Sequence, residues 1–189
     1  MARSRRVFKP GKVYHLSQAG NNQVDVFHTD QDRSAYLLIL QAAAKAENCS
    51  IHGWCLLENQ IDLLVSAQDT RAISRMMSRA QGQYARRFNR VWQRTGSLWR
   101  KRFRHCEISS DSHLPSMFRH LDRLPVIKRL ADRPSTYPWT SHLVLATGRK
   151  HALLTPHRIY MEAGHTPADR QSAYREWIRK KSSSLLKYT

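Results

Sequence analysis

Residues 54–65, WCLLENQIDLLV, decide how this chain is read. Apolar residues alternate with Glu58, Gln60 and Asp62, a period of two that predicts a strand with all three polar side chains on one face. Asn59 falls at the middle, a position for a bulge or a tight turn, so the wider segment 50–67 has room for two strands or one bent one. Such a row has three readings: an ordinary solvated face, a carboxylate metal site, or a site that has lost its chemistry.

Working outward, VYHLSQA (13–19) alternates like a strand, and Asp30 to Glu47 has helical spacing with Tyr36, Leu37, Leu40, Ala43 and Ala44 on one side. From Thr70 the spacing of Ile73, Met76, Met77, Ala80, Tyr84, Phe88 and Val91 predicts a long amphipathic helix with these residues in the core. A strand is expected after the Thr95-Gly96 turn, then a helix capped by Asp111 or Ser112 and ended or kinked by Pro125. A last helix lies around PADRQSAYREWIRKK. This order predicts an α+β fold: an antiparallel sheet of ferredoxin or RNA-recognition type, helices on one face, the other face open, and a C-terminal helical extension. The expected organisation is a basic arm over 1–12, a domain over 13–147 and a helical tail over 148–189.

Charge narrows the partners. The 189 residues carry 32 Lys and Arg against 14 Asp and Glu, a formal charge of +18. A chain so basic attracts polyanions, and nucleic acid is the leading one. No long apolar run suggests a membrane partner. The basic N-terminus lacks the apolar stretch of a signal peptide, which makes a cytoplasmic, nucleoid-associated location the expectation. Cys49, Cys55 and Cys106 show no zinc spacing, and the ten histidines form no HExxH or HxH pair, so composition offers no metal site.

The cations cluster. Arg3, Arg5, Arg6 and Lys9 form the N-terminal group, and Arg71, Arg75, Arg79, Arg86, Arg87, Arg90 and Arg94 lie along or just after the long helix. Arg100, Lys101, Arg102 and Arg104 follow, interleaved with Trp99 and Phe103, rings suited either to base stacking or to anchoring the core. No acidic residue occurs between Asp69 and Glu107, so a polyanion footprint is a better reading of this span than a solvated face.

Several segments together resemble one family. KVYHLSQAGNNQVDVF, DRSAYLLIL, YARRFNRVWQRTGSLWRKRF and YPWTSH are similar to the REP-associated single-tyrosine transposases, relatives of small insertion-sequence transposases with a His-hydrophobe-His motif. The resemblance runs from about Pro10 into the C-terminal helix. It implies single-stranded DNA transesterification, in which strand histidines hold a divalent metal and a helix tyrosine attacks the phosphate. Strand residues two apart lie about 6.5 Å apart on one face, so two imidazoles there can share a metal.

On that frame LENQIDLL stands where the family has a motif like MPNHVHLL, and RHLDRLPVIKR where it has one like RYIELNPVRAG. The metal histidines then correspond to Gln60 and Asp62, the nucleophilic tyrosine to His120 and the assisting asparagine to Leu124. Asp62 alone would be a weak Mg²⁺ or Mn²⁺ ligand, and Glu58 stands about 13 Å away in a straight strand. The resulting expectation is a DNA-binding protein that grips hairpin or single-stranded DNA without strand transfer and without a cofactor. One alternative is an active metal-dependent transposase or nickase using Asp62, Gln60 and His120, or Tyr174 as a rival nucleophile. Another is an RNA-hairpin binder. His15 and His52 are expected to make core hydrogen bonds, and Tyr84 and Tyr137 to pack. The oligomeric state is not legible.

Overall fold

The quoted stretch folds as a hairpin, because the Leu57 N–H donates to the Gln60 carbonyl at 2.8 Å and turns the chain at 57–59. The structure, a computed structural model, describes residues 6–180. Four strands form one antiparallel sheet: β1 (Tyr14–Ala19), β2 (Cys49–Leu56), β3 (Gln60–Ala67) and β4 (Arg104–Glu107), in the order β2-β3-β1-β4. The bulge falls at His52, where the β2–β3 register shifts, and not at Asn59. Glu58 leaves the strand altogether. Its carbonyl accepts from the Val26 and Phe27 N–H groups, and its side chain is exposed, so the expected row of three shrinks to Gln60 and Asp62.

On one face of the sheet lie α1 (Asp30–Ala46) and α2 (Ala72–Val91), closing a core that contains Leu16, Ile51, Trp54, Leu63 and Val65. Helix α1 starts on a capping box: the Thr29 hydroxyl accepts from the Asp32 N–H, and the Asp32 carboxylate accepts from the Thr29 N–H. In α2 the predicted stripe is buried from Ile73 to Phe88, with Tyr84 donating to the Val26 carbonyl. Val91 departs from it and is half exposed, since the helix has run past the sheet by its last turn.

The second face is covered, which corrects the expectation of helices on one face only. Here α3 (Leu114–Ile127), α4 (His142–Thr147), α5 (Arg158–Met161) and α6 (Pro167–Arg179) enclose a second core with Cys55, Leu64, Phe118, Leu121 and Tyr174. Burying a side chain such as Phe118 contributes roughly 2–3 kcal/mol, so α3 is held firmly. Gly53 sets its approach: a Cβ there would stand 3.3 Å from both the Phe118 ring and the Ser141 hydroxyl. Helix α3 has no side-chain cap from Asp111 or Ser112, which instead form a 3-10 turn ahead of it. Pro125 sits in its last turn, and the helix ends two residues later.

The chain ends of the domain also pack. Phe8 is buried edge-on to Tyr14 with ring centres 4.8 Å apart, and its N–H donates to the Thr70 carbonyl, so the arm docks from Phe8 onward. Arg3 and Arg5 lie outside the described residues. Along the outer edge of β2, the N–H groups of Thr155 and Ser141 donate to the Ile51 and Trp54 carbonyls, stoppering that edge. Among the described residues no helix is long and apolar enough to cross a membrane.

Candidate functional site

The four positions singled out in the sequence come together. Gln60 and Asp62 on β3, and His120 and Leu124 one helical turn apart on α3, line one cleft of about 520 Å³ with His15, Ser17, Arg104, Cys106 and Lys128. Register explains the convergence. Asp62 pairs with Ser17 and Gln60 with Ala19, so the face of β3 that carries them meets the face of β1 that carries His15 and Ser17, under α3.

His15 is the member that sequence reasoning placed in the core. Its ring is nearly buried, and its Nε2–H donates to Asp62 Oδ1 at 2.9 Å. Two-residue alternation along VYHLSQA was the available signal, but only the β1–β3 pairing shows which residue His15 meets. Asp62 is 1% exposed, and its other oxygen accepts from the Gln60 amide at 2.6 Å. The same amide also reaches the Ser17 hydroxyl at 3.3 Å. Both carboxylate oxygens are therefore occupied by donors. His120 stands edge-on to His15 with ring centres 5.7 Å apart, and burial, then the charge of His15, lower its pKa.

As hydrogen-bonded here, these residues do not fit Mg²⁺ or Mn²⁺. Mg²⁺ and Mn²⁺ need several oxygen donors, and Asp62 is the one carboxylate lining the cleft. Its oxygens face His15 and Gln60, and Gln60 presents its nitrogen rather than its oxygen. Among the described residues no three His, Cys, Asp or Glu side chains converge as a metal site. Tyr174 is no better placed as a nucleophile. It is fully buried between α3 and α6, donates to Asp122 Oδ2 at 2.7 Å, and is pushed well above the ordinary phenol range by that burial. His52 and Tyr137 do pack as expected, His52 bonding the Thr155 carbonyl and Ser66, Tyr137 the Leu56 carbonyl.

The cations occupy the other side of the sheet as well. Arg6, Arg71, Arg75, Arg79, Lys101 and Arg102 border a groove of about 680 Å³ along α2. Its charge is less naked than the acid-free span implied. Glu47, from the end of α1, reaches across to Arg75 and, at 3.0 Å, to Arg79, while Asp69 takes Arg75 at 3.2 Å. Arg86, Arg87, Arg90 and Arg100 are exposed, and Arg94 leans over the Phe88 ring. Lys9 bonds Glu107. Trp99 and Phe103 are buried, Phe103 beneath Arg6, so neither ring is open to stack on a base. Arg104, the first residue of β4, belongs to the cleft, while Lys101 and Arg102 just before the strand border the α2 groove.

Residues 11–118 match the family model described as "Transposase IS200 like". The chain belongs to this family. No curated protein matches it. Among solved structures, a REP-associated tyrosine transposase bound to a REP hairpin is 13% identical, with a TM-score of 0.59 over 83% of this chain and 93% of that one. At that identity the likeness is one of fold, and it agrees with the α+β architecture. A transposase from Deinococcus radiodurans R1, itself assigned only by inference, is 20% identical with a TM-score of 0.43 over 68% of this chain and 97% of that one. The tRNA(His) guanylyltransferase of Saccharomyces cerevisiae is 10% identical with a TM-score of 0.47 over 97% and 85%. The family places the transposase frame on the cleft-bearing sheet. It does not by itself assign a role to any residue in the cleft.

Proposed function

We propose that this transposase-family protein binds structured single-stranded DNA, such as a hairpin with a flanking tail, and does not carry out strand transfer. One observation carries the reading: the Asp62 carboxylate, at a position where the family resemblance implies a metal histidine, is closed off by His15 and Gln60. A metal-activated attack has no place to begin there, and the tyrosine position holds His120 without an asparagine at Leu124. The grip has more support than the chemistry. The chain keeps a formal charge of +18, the α2 groove and the exposed arginines beyond it, and the fold of a protein described in complex with a REP hairpin.

Binding to a hairpin oligonucleotide should weaken steeply with salt. With about six phosphates neutralised, log affinity falls against log salt with a slope of roughly −4 to −5. A slope near zero overturns the DNA grip. Catalysis is tested by trapping covalent protein–DNA adducts on denaturing gels with Mg²⁺ or Mn²⁺, beside a variant carrying Gln60→His, Asp62→His, His120→Tyr and Leu124→Asn. An adduct formed by the unaltered protein overturns the loss of strand transfer.

A further inference from the structure

We propose that the cleft between β3, β1 and α3 is a metal-independent acid–base site for an RNA phosphodiester, with His120 as base, His15 as acid and Asp62 as the positioning residue. The inference goes beyond DNA binding and does not depend on it. Four observations lead to it. First, Asp62 fixes one nitrogen of His15 and so orients the ring, while Nδ1 has no partner among the described residues. Second, His120 has no hydrogen-bond partner among the described residues, stands beside His15 at 5.7 Å between ring centres, and is held toward its unprotonated form by burial and by that neighbour. One imidazole is thus held on a carboxylate and the other is free of any such partner and held toward its unprotonated form, an unlike pair of the kind that general acid–base catalysis uses.

Third, Arg104 and Lys128 flank the cleft, both exposed and neither in an ion pair among the described residues, as a phosphate seat needs. A volume of about 520 Å³ admits a nucleotide. Fourth, the cleft offers no activated nucleophile of its own. The Ser17 hydroxyl accepts from the Gln60 amide and donates to no base among the described residues. The Cys106 thiol is turned to the Glu107 carbonyl, with its pKa raised by burial. A substrate processed here must bring its nucleophile with it. RNA does so, in the 2′-hydroxyl that DNA lacks.

The step balances without a co-reactant. His120 takes the 2′-hydroxyl proton, the 2′-oxygen forms a bond to phosphorus, and the bond from phosphorus to the 5′-oxygen breaks. The proton on His15 passes to the leaving 5′-oxygen. The products are a 2′,3′-cyclic phosphate and a 5′-hydroxyl end, and water returns the two imidazoles to their starting protonation.

The test uses the full chain in EDTA with a hairpin RNA carrying single-stranded flanks, the same hairpin as DNA, and end analysis by mass spectrometry. Expected are cyclic-phosphate ends from RNA and no cleavage of DNA. His120→Ala should lower the rate by about 100-fold or more, with partial recovery on adding free imidazole. His15→Gln, which keeps a donor to Asp62, should lower it similarly with little change in melting temperature. If His120→Ala does not fold, His120→Gln serves in its place. No cyclic-phosphate ends from the unaltered protein, or equal cleavage by the His120 variant, overturns the proposal. DNA-hairpin affinity measured on the same samples reports separately on the DNA-binding reading.

Discussion

His15 and Asp62 meet diagonally across the β1–β3 pair, an imidazole N–H on a carboxylate oxygen at 2.9 Å, with Gln60 on the second oxygen at 2.6 Å. Removing the carboxylate would leave two buried or half-buried donors without an acceptor. Asp62→Ala is therefore expected to lower unfolding stability by about 3 kcal/mol, measured by urea denaturation. A loss below about 0.5 kcal/mol would show that the closed carboxylate is no structural element.

Glu47 holds two arginines of the α2 groove, so it competes with any phosphate that would use them. Glu47→Gln should tighten binding to a DNA hairpin and steepen its salt dependence by roughly one to two in the log–log slope. Fluorescence anisotropy across a salt series reads both. Unchanged or weaker binding would place the nucleic acid elsewhere.

How much of this was legible beforehand follows the range of the interactions. The α2 stripe and the strand alternation are local, and Ile73 to Phe88 and the Gln60–Asp62 face were readable from spacing alone. The Glu47 contacts to Arg75 and Arg79 span 28 and 32 residues, so an acid-free stretch of sequence looked unneutralised when it was not. His15 lies 47 residues from Asp62, and nothing short of the strand register announces their bond. Trp99 and Phe103 sit among cations in sequence, yet in space they belong to the core. Glu58 illustrates the converse error: alternation continued through a turn that only the hairpin reveals.

Tyr174 tests the packing of the C-terminal helix. Its hydroxyl and the His142 ring both bond Asp122 Oδ2, at 2.7 and 2.6 Å, tying α6 and α4 to α3. Tyr174→Phe should cost about 1–2 kcal/mol in thermal or urea unfolding while leaving hairpin affinity unchanged. A large fall in affinity without a fall in stability would return Tyr174 to the functional site.

His52 gives the stability a pH dependence of known sign. Burial holds its pKa down at about 4, against an ordinary value of 6.5, so the native state keeps it neutral while the unfolded chain takes up a proton. Its contribution is complete above about pH 6.5 and is lost as pH falls toward 4, on the order of 3 kcal/mol. Urea midpoints measured between pH 7 and 4 should drop, and His52→Gln should flatten that drop. A steeper fall in the variant would contradict the assignment.

The closure of Asp62 by His15 and Gln60 also bears on how this lineage can change. Placing a histidine at position 62 alone strips His15 of its acceptor, and placing one at position 60 alone breaks the second bond to Asp62. Each single step toward a strand with histidines at both positions passes through a less stable intermediate. The hydrogen-bonded trio works as a ratchet, so selection for a stable fold would itself oppose arrival at a two-histidine strand one substitution at a time.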